Sequence, residues 1–159
     1  MRIVTFKVNG LNMSAKIEDN EILHDVLRDK LGVKSVKAAC WARECGLCTA
    51  LINGKPVKTC MVLAASADGS EIVTAEGLGK KLSPLQESFV KHAALQCGFC
   101  TPAFVVTAHY LLQKNPNPSK EEIKEALDGL LCRCGIHYQI IDAIKEASSK
   151  TLVSQGDQI

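Results

Sequence analysis

The stretch CWARECGLCTALINGKPVKTC, residues 40–60, places four cysteines around a predicted hairpin. Its spacing, C-x4-C-x2-C-x11-C, runs through Cys40, Cys45, Cys48 and Cys60, which we call the first cysteine group. The opening C-x4-C-x2-C is the plant-type ferredoxin spacing for a [2Fe-2S] cluster, in which one loop supplies three thiolates and a fourth comes from elsewhere. A structural zinc site more often takes two ligands from each of two short knuckles. The stretch therefore predicts a cluster-binding loop followed by a hairpin that returns the fourth thiolate.

A second cysteine group uses the remaining four of the eight cysteines, with the spacing C-x2-C-x31-C-x-C. Its members are Cys97, Cys100, Cys132 and Cys134. Two fall at the start of one predicted helix and two at the start of another, where free amides favour thiolates. Spacing alone leaves an iron-sulfur cluster and a zinc ion both open, because both accept four thiolates. The choice of iron-sulfur therefore depends on the first cysteine group.

The composition is that of a globular chain and excludes several functions. Of 159 residues, 47% are hydrophobic and 23% charged, which suits one domain or two small ones. A net charge of +2 with 4% aromatic residues gives neither the basic stripe nor the stacking surface that binds nucleic acid. No export signal precedes the first predicted strand, and no apolar run of about 18 residues would span a membrane. We expect a cytoplasmic protein, in which grouped cysteines are more often metal ligands than disulfides.

The first half of the chain predicts an α+β domain over residues 1–77. Apolar residues alternate on both sides of an Asn-Gly pair at residues 9–10, which predicts a hairpin. A second Asn-Gly pair at residues 53–54 predicts another hairpin, and GSEIVTAEGL predicts a further strand. Between the hairpins, helical spacing predicts one helix over residues 19–31, capped by Asp19 or Asn20.

The second half predicts an all-helical domain over residues 83–148. Four helical patterns follow one another, and strand patterns disappear. Ser119 stands three residues before Glu122 as a capping box, and Pro102 begins its helix. Residues 149–159 are expected to form a C-terminal tail, and its polar end SQGDQI, residues 154–159, is expected to be loose.

No catalytic residue is expected on this chain. His24, His92 and His109 fall on predicted helices, where a lone histidine is more often structural than a ligand. His137 follows a complete set of four cysteines, which leaves no vacancy for it as a Rieske ligand. No cysteine stands apart from the two groups to form a Cys-His catalytic pair.

Over residues 3–147 the chain resembles the small iron-sulfur subunit of the molybdenum hydroxylases. That family contains xanthine dehydrogenase, aldehyde oxidoreductase and carbon monoxide dehydrogenase. The motifs that carry the resemblance are CWARECGLCTALINGKPVKTC, ADGSEIVTAEGL, QCGFCTPAF and LCRCG. It implies a β-grasp, ferredoxin-like domain holding one [2Fe-2S] cluster, followed by a four-helix domain holding the other.

The resemblance also implies a role in electron transfer. In such enzymes a large subunit carries a molybdopterin cofactor, which hydroxylates the substrate, and a medium subunit carries FAD. The small subunit passes electrons from the first to the second and performs no substrate chemistry. The helical-domain cluster is then expected near the pterin and the first cluster toward the flavin. Gln96 matches a glutamine that hydrogen-bonds the pterin, and the Cys134 sulfur is expected to accept a second pterin contact.

The sequence departs from the family pattern in both cysteine groups. Arg43 stands where the family usually has glycine, and Ala39 replaces another glycine before the first ligand. CRCGIHYQII replaces the usual C-R-C-T-G-Y-x-x-I, which alters the turn expected to face the large subunit. Two other functions stay open at this point: an independent ferredoxin-like electron carrier and a zinc-stabilised interaction module.

Overall fold

A five-stranded mixed sheet is followed by four helices of 8 to 20 residues in the computed structural model, which describes residues 1–79 and 82–156. The strand order in the sheet is β2-β1-β5-β3-β4. The strands are β1 (Arg2–Val8), β2 (Leu11–Ile17), β3 (Thr49–Ile52), β4 (Lys55–Lys58) and β5 (Glu71–Val73). β5 pairs parallel with β1 and antiparallel with β3, so it joins the two hairpins into one sheet. The expected α+β ferredoxin-like fold, with a helical part after it, is confirmed.

Both predicted hairpin turns are confirmed. Asn9 and Gly10, between β1 and β2, have φ values of 50° and 83°. Asn53 and Gly54, between β3 and β4, have φ values of 50° and 75°. Consecutive residues in the left-handed region match the twist of the flanking strands, and Asn-Gly adopts this conformation readily. The second turn matters for the site, because it brings the end of β4 back beside the start of β3.

The helix predicted over residues 19–31 is wrong in its start and in its form. A single helical turn, α1 (Leu23–Asp25), leads into a π-helical turn, Val26–Lys30. No side chain caps it, and Asp19 instead pairs with Arg2 at 2.7 Å. The residues before α1 are held extended, because the Leu23 amide donates to the Val62 carbonyl at 2.7 Å and Glu21 accepts from the Ala64 amide at 2.9 Å. These bonds come from a distant segment, so the local pattern could not reveal them.

The helices of the second half begin where their caps predict. They are α2 (Pro84–Lys91), α3 (Thr101–Lys114), α4 (Lys120–Leu127) and α5 (His137–Gly156). Ser119 and Glu122 form the predicted capping box at α4, and Pro102 lies in the first turn of α3. α5 runs through Gly156, so the backbone of residues 154–156 is helical where a loose segment was expected. Residues 157–159 lie outside the described residues.

Two hydrophobic cores lie on either side of the first cysteine loop. The first packs the sheet against α1 and contains Val4, Phe6 and Leu27. The second fills the helical half but also includes Cys45 and Leu47, so the first cysteine loop packs against the helices. Among the described residues, no helix combines the length and apolar character needed to cross a bilayer.

Candidate metal centres

The first cysteine group is assembled by the β3–β4 hairpin. Cys48 directly precedes β3, and Cys60 lies in a 3-10 turn, Thr59–Met61, directly after β4. The Thr59 amide and hydroxyl donate to the Cys48 carbonyl at 3.2 and 2.9 Å, which holds the two hairpin ends together. The Cys48 and Cys60 sulfurs are 3.2 Å apart. The hairpin therefore returns the last cysteine to the loop that carries the other three.

At the other end of this group, the backbone surrounds the Cys40 sulfur with donors. The amides of Glu44 and Cys45 both lie 3.4 Å from it. These amides, that of Cys45 foremost, lower the pKa of Cys40 to about 6 and so favour its thiolate. Burial, and then the neighbouring Cys48, raise the pKa of Cys60 to about 12. A metal that binds here must displace the proton from that buried thiol.

The second cysteine group lies where two chain segments meet before α3 and α5. Cys100 is the N-cap residue of α3, whereas Cys97 lies in the preceding loop. Cys132 and Cys134 lie in the turn before α5, not on the helix itself. The Cys97 and Cys134 sulfurs are 3.4 Å apart. Cys97 is exposed and Cys134 half-buried, while Cys100 and Cys132 are buried.

Backbone amides favour the thiolate in this group as well. The Phe99 amide, and then the Cys134 side chain, lower the pKa of Cys97. Burial would raise the pKa of Cys132, but the amides of Ile136, Cys134 and Gly135, together with the Cys100 side chain, outweigh it and lower the pKa. Burial, and then Cys132, raise the pKa of Cys100 to about 12. The loops before both helices thus turn their amides toward sulfur.

One pair of sulfurs in each group lies close together. Cys48 pairs with Cys60, and Cys97 with Cys134. Within residues 1–79 and 82–156, no three Cys, His, Asp or Glu side chains are grouped so that they could hold a metal ion. A zinc ion needs four ligands around one point, whereas a [2Fe-2S] cluster takes two thiolates on each of two irons. A close pair of thiolates in each group suits one iron of such a cluster, so the donor sets fit a two-iron cluster.

The two groups are joined directly by the backbone. The Leu131 amide donates to the Cys45 carbonyl at 2.9 Å, and Leu131 immediately precedes Cys132. A Cβ added to Gly46 would lie 2.3 Å from the Gly129 carbonyl oxygen, so only glycine allows this approach. Elsewhere, the Lys37 ammonium lies 5.0 Å from the centre of the Phe99 ring. The chain segments around the two groups thus contact each other near Gly46 and again at Phe99.

Gln96 and three of the histidines occupy different surroundings. Gln96 is exposed beside Cys97, at the outer end of the second group. His92 contacts Glu146 at 2.5 Å, His109 lies 3.0 Å from the Gln113 amide nitrogen, and His137 packs edge-on against Phe104. None of these contacts brings a histidine nitrogen to a cysteine sulfur, and structural roles remain the expectation for these histidines.

The surroundings of His24 could not be predicted from the sequence. Its side chain is buried, its Nδ1 lies 2.8 Å from Asp25 Oδ1, and its ring meets Trp41 edge to face. Trp41 follows Cys40 directly, so this histidine supports the first cysteine loop from a distant element. A lone histidine on a predicted helix does not reveal such a partner.

Comparison with known proteins agrees with this arrangement. Residues 74–145 match the family model of the [2Fe-2S] binding domain. The nicotinate dehydrogenase small FeS subunit of Eubacterium barkeri is 45% identical over 146 residues, covering 91% of this chain and 93% of the relative. The nicotine 6-hydroxylase small subunit of Paenarthrobacter nicotinovorans is 44% identical over 145 residues, covering 91% and 88%.

Solved structures share the fold. Quinoline 2-oxidoreductase from Pseudomonas putida 86 matches with a TM-score of 0.90 and 41% identity, over 95% of this chain and 96% of that chain. The aldehyde oxidoreductase from Desulfovibrio desulfuricans ATCC 27774 matches with a TM-score of 0.92 and 36% identity, over 96% of this chain but 17% of that longer one. The chain therefore belongs to the small iron-sulfur subunits of the molybdenum hydroxylases and is part of an oxidoreductase complex.

Proposed function

We propose that this chain carries electrons from a molybdopterin centre in a large subunit, through two [2Fe-2S] clusters, to FAD in a medium subunit. The first cysteine group holds one cluster and the second holds the other. A bound [2Fe-2S] cluster supplies one-electron chemistry. The observation that carries the proposal is the hydrogen bond from the Leu131 amide to the Cys45 carbonyl. Cys45 belongs to the first cysteine group, and Leu131 directly precedes Cys132 of the second.

The two hydrophobic cores support a division of the chain into two domains. We assign the first cluster to a domain of residues 1–77 and the second to a domain of residues 83–148. Each has its own set of buried apolar side chains, and the loop of the first cysteine group lies between them. That position suits a relay, because the parts of the chain that hold the two metal centres are then in direct contact.

The second cysteine group presents its outer end to the large subunit. Cys97 and Gln96 are exposed there and Cys134 is half-buried, so all three are accessible to a partner's cofactor. We assign Gln96 to a hydrogen bond with the pterin and the Cys134 sulfur to a second contact with it. Large apolar side chains are exposed on this half of the chain: Leu82, Val90, Leu95, Phe99, Leu131 and Tyr138. Such side chains are typical of a surface that another protein covers.

We assign the first cysteine group to electron transfer to the medium subunit. Residues 41–44 are exposed around the Cys40 end, so an acceptor can approach this loop from outside. The overall reaction balances as RH + H2O giving ROH, two protons and two electrons, and the two electrons with two protons convert FAD to FADH2. This chain's part is to move those two electrons singly between the partners. The relatives are named for nicotinate, nicotine, quinoline and aldehydes, which supports substrate selection by the large subunit.

The test is Cys97→Ser in the assembled complex. Removal of one thiolate from the second cluster is expected to abolish reoxidation of the molybdenum centre by the flavin. The flavin in the assembled medium subunit should still be reducible by the redox partner of that subunit. Rapid mixing with substrate, followed at the flavin absorbance, measures this transfer. Leu11→Ser is the control, because Leu11 is exposed at the start of the edge strand β2. Normal turnover by Cys97→Ser would contradict the pathway.

A further inference from the structure

Trp41 occupies an unusual backbone conformation directly after Cys40. Its φ is 49°, and that of Arg43 is 67°. Bulky residues are strongly disfavoured in this left-handed region, and glycine is the residue that adopts it freely. Strained conformations of this kind persist only where surrounding contacts hold them, and they concentrate at functional sites. The contacts that hold this loop therefore indicate what the conformation is for.

The Trp41 ring is held by His24. The two ring centres are 5.3 Å apart and the planes are inclined at 84°, an edge-to-face contact. His24 lies on α1, is 2% exposed, and is oriented by the hydrogen bond between its Nδ1 and Asp25. Trp41 itself is 64% exposed, so burial of its own surface does not explain its position. A fixed aromatic ring on α1 therefore anchors an otherwise exposed loop residue.

His24 is an unfavourable choice if its purpose is only to fill the core. Its Nε2 is buried and has no hydrogen-bond partner among the described residues. A buried polar atom without a partner destabilises the folded state, and leucine would fill much of the same space without that atom. The imidazole ring is therefore better explained by its contact with Trp41 than by packing alone.

The turned loop aims two amides at sulfur. After Trp41 and Arg43, the amides of Glu44 and Cys45 both point back at the Cys40 sulfur, at 3.4 Å. Alternating backbone conformations of this kind form a concave set of N–H groups that binds anions. The Lys58 ammonium supports the same turn by donating to the Arg43 and Glu44 carbonyls at 3.4 Å.

We propose that Trp41 is a positioning residue for the first cluster: its contact with His24 holds residues 40–45 in the turn whose amides donate to the Cys40 sulfur. The proposal rests on the proposed function, because it needs a [2Fe-2S] cluster at this group. Amides that donate to a ligand sulfur stabilise the more negative, reduced cluster, so they raise its reduction potential. Loss of the Trp41–His24 contact therefore lowers the potential of this cluster and leaves that of the other unchanged.

The experiment is a redox titration of the assembled complex followed by electron paramagnetic resonance. Trp41→Gly accepts the left-handed φ but removes the ring, His24→Leu removes the partner ring, and Trp41→Phe retains an aromatic ring. His109→Leu is the matched histidine control, on α3. The signal altered by Cys97→Ser identifies the second cluster, so each sample contains its own internal standard.

We expect Trp41→Gly and His24→Leu to shift the midpoint of the first cluster's signal to lower potential, with Trp41→Phe close to the wild type. His24→Leu is expected to unfold at the wild-type temperature or above it, which separates positioning from stability. The proposal is overturned if both signals move together, if neither moves, or if His109→Leu has the same effect. Should Trp41→Gly fail to assemble, His24→Leu decides. Absence of [2Fe-2S] signals from the wild type would overturn the proposed function itself.

Discussion

The Cys45 carbonyl accepts a hydrogen bond of 2.9 Å from the Leu131 amide, which places the backbones of the two cysteine groups in direct contact. Both atoms belong to the main chain, so this link survives most side-chain substitutions. It depends on the close packing of Gly46 against Gly129, since any side chain at residue 46 would occupy the space of the Gly129 carbonyl. Changes at Gly46 are therefore the most direct way to separate the loops.

Gly46→Ala is expected to slow electron transfer between the clusters and to destabilise the protein. The left-handed φ of 71° costs alanine about 1–2 kcal/mol, and the added methyl group pushes the Cys45 loop away from Leu131. Flavin reduction after mixing with substrate measures the rate, and thermal unfolding measures the stability.

Gly10→Ala is the matched control for Gly46→Ala. Gly10 has a φ of 83°, but no atom lies within 4 Å of an added Cβ. The control should lose similar stability from its backbone and keep the wild-type transfer rate. Equal rates in the two variants would show that the contact between the loops does not matter for transfer.

Gln96→Ala tests the contact assigned to the pterin. Both clusters should assemble normally, because Gln96 is exposed and is not one of the cluster ligands. Loss of one hydrogen bond of about 1.4 kcal/mol corresponds to roughly a tenfold slower reoxidation of the molybdenum centre. Gln113→Ala, which removes a glutamine that contacts His109 on α3, is the control. A wild-type rate in Gln96→Ala would contradict the assignment of Gln96 to a hydrogen bond with the pterin.

Phe99→Asp tests the surface assigned to the large subunit. Phe99 lies between Cys97 and Cys100 and is 43% exposed. A charge in an apolar contact is expected to weaken assembly by about 2 kcal/mol or more, roughly thirtyfold in the dissociation constant. Size-exclusion chromatography of the mixed subunits over a dilution series measures this. Leu11→Asp, at a residue 68% exposed on the edge strand, should assemble normally. Equal weakening by both variants would contradict the assigned surface.

Glu76 gives the stability a pH dependence. Its carboxylate accepts hydrogen bonds from Thr74 Oγ1 at 2.8 Å and from the amide and hydroxyl of Ser35, both at 2.9 Å. Partial burial would raise the pKa of Glu76, but these donors outweigh it and lower the pKa below the ordinary 4.5. The stabilisation is therefore complete above pH 4.5 and is lost as the pH falls through the lowered pKa.

Glu76→Gln should accordingly be less stable than the wild type at pH 7 by on the order of 0.5–1 kcal/mol, a small value because solvent screens the partly exposed carboxylate. The difference should shrink below pH 4.5. Thermal unfolding of both proteins from pH 7 downward measures it, with Glu125→Gln as an exposed control on α4. A difference that stays constant across this range would rule out the carboxylate as its source.

The features that the sequence predicted well are encoded by neighbouring residues. Asn9 with Gly10 and Asn53 with Gly54 determine their own turns, because both residues of each pair accept a positive φ. Ser119 and Glu122 likewise determine the start of α4 through bonds three residues apart. The grouping of the cysteines follows from such elements, since a hairpin closes the first group and helix starts flank the second.

The features that could not be predicted depend on contacts between distant segments. The chain before α1 stays extended because it pairs with residues 62–64, which the helical spacing of residues 19–31 does not reveal. The contact of Trp41 with His24 and the bond between Cys45 and Leu131 likewise join parts of the chain that only the tertiary fold brings together. These contacts concern the loops around the candidate clusters, so the finest details of the site were the least predictable.

We propose that each cysteine group holds a [2Fe-2S] cluster. Electron paramagnetic resonance of the dithionite-reduced protein, with iron and acid-labile sulfide quantified on the same sample, tests it most directly. Two distinct [2Fe-2S] signals and about four irons and four sulfides per chain are expected. A silent sample that contains zinc and no labile sulfide would contradict it, and the eight cysteines would then be structural ligands.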